Sequence, residues 1–368
     1  MRHRVTITVL AAAILELPMH AQGPWSGCWQ RDSIEAVASA ACKWQIDNFA
    51  RCGHNELAWT GGALYIGMYE WADQVGDKAA VKFLTALGKR NNWGLLPRVY
   101  HADDICVGQT YLKLYARTGD DKMAQAVRSR AYYVSTHPSD APLSRRQKRG
   151  TERWSWCDAL FMAPPVYAHL YALTGESVYA DFMLKEFREC TDSLFDRDEG
   201  LYYRDCLRIG LREANGAKQF WGRGNGWVFA AISRILEALP EDYWQRGYFE
   251  EIFRQMATSI VKCQDSAGHW HASLLDPGSY PEPENSASAF FVYGLAWGIR
   301  HALLDEDRFL EPLQRGWSAL VEGVHPEGMP GYIQPVGADP RHTGYDSTDV
   351  YGIGGFLLAA SELLKLLQ

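Results

Sequence analysis

One carboxylate stands out from its surroundings in this chain. In the run Trp154-Ser-Trp156-Cys-Asp158-Ala-Leu-Phe161-Met-Ala-Pro-Pro165, Asp158 is the only charged residue among apolar or small neighbours. An aspartate held in such a setting loses hydration. That raises its pKa and lets it keep a proton near neutrality, as an acid catalyst must. The competing reading is an exposed or N-capping aspartate ahead of a buried helix. A second acidic site lies in His101-Ala-Asp103-Asp104-Ile-Cys-Val-Gly108-Gln109. Adjacent aspartates at a helix start point in different directions, so at most one of Asp103 and Asp104 faces a central cavity. The other is accounted for by compensation of a helix dipole. Two carboxylates sharing one pocket split their pKa values, leaving one protonated and one charged.

A third segment, Phe220-Trp221-Gly-Arg223-Gly-Asn225-Gly-Trp227, places three alternate glycines among two indoles, a guanidinium and an amide. The glycines permit a tight turn or a close backbone approach to a ligand. Arg223 is suited to a bidentate grip on a sugar carboxylate, with Trp221 and Trp227 stacked on ring faces. A structural salt bridge is the alternative for Arg223. A phosphate-cradling glycine loop fits poorly, because no strand precedes the segment and the spacing differs. His269 and His271 flank Trp270 but lack a third ligand at useful spacing, so they read as loop or sugar-contact residues rather than a metal site.

The elements that must position these groups are helical. Apolar residues recur at helical spacing almost throughout, and hardly any segment alternates with period two. Three copies of an aromatic-rich helix closed by glycine and followed by an acidic residue occur around Gly76, Gly119 and Gly175. Their spacing suits helical hairpins, and the whole chain holds six or seven such pairs. These can close into an all-α (α/α)6 barrel of six helical hairpins, or form an open solenoid. Long Gly- and Pro-rich connections, including the basic segment His137–Glu152, would then build the mouth.

The bulk composition narrows the partners. With 368 residues and 47% hydrophobic content the chain can bury a large core. A net charge of -7 argues against nucleic acid or an anionic membrane as partner. Fourteen tryptophans and nineteen tyrosines suit sugar stacking as well as core packing. Arg2 and Arg4, the apolar run Val5 to Leu15 and Ala21 read as an export signal over residues 1–21, too short to span a bilayer. Residues 22–368 follow as a single catalytic domain in an exported, periplasmic or secreted protein. None of the eight cysteines forms a close CxxC pair, and buried free thiols are expected.

Taken together, Trp59-Thr-Gly-Gly62, His101-Ala-Asp-Asp104, Trp156-Cys-Asp158-Ala-Leu-Phe-Met162, Trp221-Gly-Arg-Gly-Asn-Gly-Trp227, Glu284-Asn-Ser286, Tyr293-Gly-Leu-Ala-Trp-Gly298, Gln334-Pro-Val-Gly337 and Ser347-Thr-Asp-Val-Tyr-Gly352 resemble the unsaturated rhamnogalacturonyl hydrolase family, glycoside hydrolase family 105. That family is similar to the unsaturated glucuronyl hydrolases. The resemblance implies a six-hairpin α/α barrel and a reaction without metal or cofactor. Its substrate would be an acidic oligosaccharide left by a polysaccharide lyase, with a 4,5-unsaturated uronic acid at the non-reducing end. It also implies Asp158 as general acid and base, Asp103 or Asp104 as its partner, and Trp221, Arg223 and Trp227 as substrate contacts. Trp59 and Trp156 would line the same mouth, and His101 lies within a matched motif. One position departs from the pattern. Where the family often carries His after a Leu-Tyr/Phe-Tyr run, this chain has Arg204, which could read a second acidic group or pair with Asp205. A non-catalytic carbohydrate-binding barrel, and a sugar epimerase or polysaccharide lyase on the same fold, are the alternatives.

Overall fold

Three of the turns expected from the glycine repeats exist as such. Gly76, Gly119 and Gly175 all cap helices in the left-handed conformation at φ 72°, which costs glycine nothing. The computed structural model describes residues 25–27 and 29–368, so the apolar leader, Ala21 and Cys28 lie outside the described residues. In it, thirteen helices follow in chain order: α1 (Arg31–Asn48), α2 (Trp59–Val75), α3 (Lys78–Arg90), α4 (Gly108–Thr118), α5 (Lys122–Thr136), the single turn α6 (Ala159–Met162), α7 (Pro164–Thr174), α8 (Ser177–Leu194), α9 (Gly222–Ala238), α10 (Arg246–Lys262), α11 (Asn285–Arg300), α12 (Glu306–Glu322) and α13 (Val350–Leu366). A two-stranded antiparallel ribbon, β1 (Phe195–Asp196) and β2 (Leu201–Tyr202), sits between α8 and α9 and was not expected from the sequence pattern.

Helices α2, α4, α7, α9, α11 and α13 pack each against the next, and α13 returns to α2, which closes an inner ring. Each has an outer partner: α3, α5, α8, α10, α12 and, for α13, the first helix α1. This is the α/α barrel of six hairpins, with the last pair assembled from the two chain ends. The sequence sorts the two layers. In α9, α11 and α13 the first fifteen residues are all buried, so no face is left polar. The outer α12 is amphipathic, burying Phe309, Leu313, Gly316, Trp317 and Leu320 at helical spacing.

Ring closure depends on backbone-to-backbone contact. A methyl group added at Gly67 of α2 would lie 2.1 Å from the Gly354 carbonyl oxygen of α13, and one at Gly354 would lie 2.2 Å from the Ala63 oxygen. Replacing glycine by alanine in a helix ordinarily gains up to about 1 kcal/mol. At Gly354 the clash is with main chain that cannot rotate away, and overpacking of this kind costs about 1–3 kcal/mol or more. Gly354→Ala is therefore expected to lower the urea midpoint. Gly247→Ala in outer α10, where an added methyl meets nothing within 4 Å, should leave it unchanged or raise it.

The two ends of the bore differ. Toward the C-terminal ends of the inner helices, Glu70, Lys113, His169, Arg234, Tyr293, Glu362 and Lys365, drawn from all six, leave a void of only about 10 Å³. Burial alone would raise the Glu70 pKa, but Lys113, Arg234 and Lys365 hold it down at about 2. That end is plugged by ion pairs. The N-terminal ends carry the long connections, and the mouth opens there. All seven cysteines among the described residues are free thiols, with Cys42, Cys106, Cys157 and Cys190 buried. No helix among the described residues is long and apolar enough to cross a membrane.

Candidate active site

The ambiguity between Asp103 and Asp104 is resolved by a short 3-10 turn, Ala102–Ile105, immediately before α4. His101 caps it, its Nδ1 accepting the Asp103 N–H at 3.3 Å. Asp104 turns inward. It is fully buried, its Oδ1 lies 2.5 Å from Arg98 Nη2, and its Oδ2 accepts the Arg98 backbone N–H at 2.8 Å. Asp103, on the other side of the turn, faces a cavity.

Asp158 reaches the same cavity from a different element. The Cys157 N–H donates to the Arg204 carbonyl at 2.9 Å, and Trp156 bridges Asp205, so residues 201–205 lie alongside 154–158. Asp158 occupies the N-cap position of α6, yet its side chain caps no backbone N–H. Its Oδ2 instead lies 3.3 Å from Arg204 Nε, a charge–charge contact, since that Nε–H has no hydrogen-bond acceptor in line. Arg204 Nη1 also holds Asp205 Oδ2 at 2.5 Å. The cavity, of about 120 Å³, is lined by Trp59, Asp103, Trp156, Asp158, Met162, Arg204, Trp221, Val336 and Gly337. Each side chain comes from the start of an inner helix or the loop that feeds one.

The electrostatics follow from burial. Loss of water first, and the charge of Asp158 second, push the Asp103 pKa up to about 7, against the pull of Arg98 and Arg204. Asp103 therefore keeps its proton toward neutrality. Burial and the nearby Arg98 push His101 down to about 4, so the imidazole is neutral. Its Nδ1 is an acceptor, which leaves the proton on Nε2. Its ring centroid lies 5.1 Å from that of Trp156, and it orients Asp103 rather than lining the cavity.

Two of the expected sugar contacts stand behind the wall. Arg223 is fully buried, and its guanidinium donates to the carbonyls of Gln334 and Pro335 and to the Tyr351 hydroxyl, between the rings of Trp221 and Tyr351. With those donors committed it clamps the loop that brings Val336 and Gly337 to the cavity, and it grips no ligand there. Trp227 is likewise fully buried, with ring centroids 4.4 Å from Phe290 and 4.7 Å from Phe161. It supports Trp59, edge-on at 5.9 Å, rather than stacking on a sugar. The cavity-facing indoles are Trp59, Trp156 and Trp221, the last held by its Nε1–H to Gln334 Oε1 at 3.1 Å. Val336 and Gly337 were not singled out as site residues, although their segment was among the matched stretches. His271 is tied to Asp265 and the Glu282 carbonyl, away from this cavity.

Residues 37–367 match the model of Glycosyl Hydrolase Family 88. An unsaturated 3S-rhamnoglycuronyl hydrolase from Alteromonas sp. (strain LOR) is 34% identical over 358 residues, covering 90% of this chain and 87% of that protein. A family 88 glycosyl hydrolase from Bacteroides vulgatus has a solved structure that superposes with a TM-score of 0.83 at 29% identity, covering 92% of this chain and 99% of its own. A protein described as a polysaccharide lyase superposes with a TM-score of 0.84 at 28% identity, covering 92% and 98%.

Proposed function

Because this chain belongs to glycosyl hydrolase family 88, we propose that it removes a 4,5-unsaturated uronic acid from the non-reducing end of lyase-generated oligosaccharides by hydrating the C4=C5 enol ether. The observation that carries this reading is a pair of carboxylates, Asp103 and Asp158, in one poorly hydrated cavity, where burial and the neighbouring carboxylate push Asp103 up to about 7. Protonating carbon requires an acid still neutral at working pH, and burial beside a like charge supplies that condition.

Asp158, supplied with the proton that Asp103 keeps toward neutrality, gives it to C4, and positive charge develops at C5 and the ring oxygen. The resulting carboxylate takes a proton from a water that bonds to C5, so the proton lent is recovered and one water is consumed. The hemiketal at C5 opens to a ketone, C1 becomes a hemiacetal carbon, and its collapse to an aldehyde releases the next sugar. Arg204, 3.3 Å from Asp158, is in position to meet the carboxylate borne by C5. This route differs from ordinary glycoside hydrolysis, in which carboxylates act directly at the anomeric centre. The leader over residues 1–21 supports an exported enzyme meeting such fragments outside the cytoplasm.

Elimination is the second reading, favoured by the likeness to a polysaccharide lyase and by Arg204, whose charge would acidify the proton at C5 of a saturated uronate. One assay separates the two. Hydration destroys the ultraviolet absorbance of the conjugated double bond, whereas elimination creates it. Incubation of the mature protein with unsaturated pectin- and glucuronan-derived oligosaccharides, and with their saturated parents, is expected to lower absorbance in the first set and leave the second flat. A rise with the parents would overturn hydration. Binding with no change in either set would make the barrel a carbohydrate-binding module.

A further inference from the structure

We propose that a cavity between α1 and α13, separate from the catalytic one, is a binding site for a neutral pyranose. Its volume is about 340 Å³, against about 120 Å³ at the catalytic cavity, and the two share no lining residue. Pockets for small ligands span about 300–1,000 Å³, so there is room for a sugar ring.

The two helices build this cavity from facing sides. Trp44, Gln45 and Asn48 share one side of α1, and Asp349, Val350 and Ile353 share one side of the first turn of α13. Tyr351 is turned to the catalytic wall instead, its ring centroid 5.1 Å from that of Trp59. The first turn of α13 thus stands between two compartments at the mouth end of the ring.

Some of the polar groups here are not spent on the fold. Gln45 is only 2% exposed, yet its Oε1 has no hydrogen-bond partner among the described residues. The buried Thr348 Oγ1 has none either. Buried amides and hydroxyls are nearly always paired, and an orphaned one weakens the fold. A glutamine kept in that state against a cavity is accounted for by a ligand that completes its hydrogen bonds. Asn48 shows the contrast. Its Nδ2 donates to the Trp44 carbonyl at 2.9 Å and its Oδ1 accepts from Arg51 at 3.3 Å, so it is spent within the wall.

The lining also selects the class of ligand. Its charged side chains are one of each sign, Arg51 at the exposed rim and Asp349, with His54 Nε2 2.8 Å from Asp349 Oδ1. No excess of either charge is left to hold an ion. What remains is the half-buried indole of Trp44 with Met329 and Ile353, next to the unpaired amide and hydroxyl oxygens. A neutral pyranose is divided in the same way. Its C–H face rests on an indole, and its hydroxyl groups donate as well as accept. Two of them donating to Gln45 Oε1 and Thr348 Oγ1 would supply the missing bonds.

The test is calorimetric titration of the wild-type protein with the methyl glycosides of rhamnose, galactose and glucose. At least one is expected to bind, and added salt should leave its affinity unchanged. Gln45→Leu should weaken that sugar about tenfold, the equivalent of one or two lost hydrogen bonds. The same variant should turn over an unsaturated disaccharide as the wild type does and keep or raise the urea midpoint, because an orphaned amide is gone. Trp44→Ala should also weaken the sugar, whereas Trp156→Ala, in the catalytic cavity, should not. Comparing the best binder with its own oligomer then assigns the source: equal affinity means a free sugar, and tighter binding of the oligomer means a glycan chain. Absence of binding to the wild type, or Gln45→Leu binding as tightly as the wild type, would overturn the site. So would loss confined to Trp156→Ala, a salt-dependent affinity, or a lowered Gln45→Leu midpoint, which would make the amide structural. The titrations need no turnover, so they decide this site whether or not the hydration assigned above is found.

Discussion

Asp158→Asn is expected to abolish at least about a thousandfold of the turnover of an unsaturated disaccharide while leaving its binding within a few-fold of wild type. Asparagine keeps the shape of the side chain and removes its acidity. General acid and base assistance contributes about 10²–10⁴-fold in enzymes, and here one group is asked to give a proton to carbon and then to take one from water. Both steps fail together. The fold should tolerate the change, because Arg204 keeps Asp205 at 2.5 Å and Asp158 caps no helix. Binding is read by quenching of Trp59, Trp156 and Trp221, the indoles that line the cavity. Retention of more than a tenth of the wild-type rate would remove Asp158 from the chemistry and leave Asp103 as the acid.

What the sequence could disclose depended on whether the deciding contact was local. The helical hairpins were legible because glycine at Gly76, Gly119 and Gly175 marks the same inner-to-outer turn, whereas their closure into a ring rather than an open solenoid came from the family resemblance. Asp158 was legible as a lone carboxylate among apolar neighbours. The choice between Asp103 and Asp104 was not, since it turns on Arg98 folding back onto one of them. Arg223 and Trp227 were misassigned for a related reason. They lie in an inner helix whose first fifteen residues are all buried, so no polar stripe distinguishes a side chain facing the bore from one facing the next helix.

Asp103→Asn should move the pH profile rather than simply lower it. In the free wild-type enzyme burial and the charge of Asp158 keep the Asp103 proton to about pH 7, so kcat/KM is expected to fall as pH rises through that value. With asparagine at 103 the group that keeps a proton toward neutrality is gone. The limb near pH 7 should disappear from the profile, with a rate at pH 7 at least about tenfold lower. A uniform loss at every pH would mean that Asp103 only shapes the cavity. The same ionisation works against folding. Below the ordinary aspartate value of 3.8 the carboxyl is protonated whether the chain is folded or not. Between 3.8 and about 7 the unfolded chain ionises while the folded site resists, so stability falls as pH rises. A gap of that size corresponds to about 4 kcal/mol at most. Asp103→Asn is thus expected to raise the melting temperature at pH 8 and change it little at pH 4. An equal gain at both would assign the effect to packing. A carboxylate kept where it weakens the fold and sets the pH dependence of turnover is held there by its chemistry.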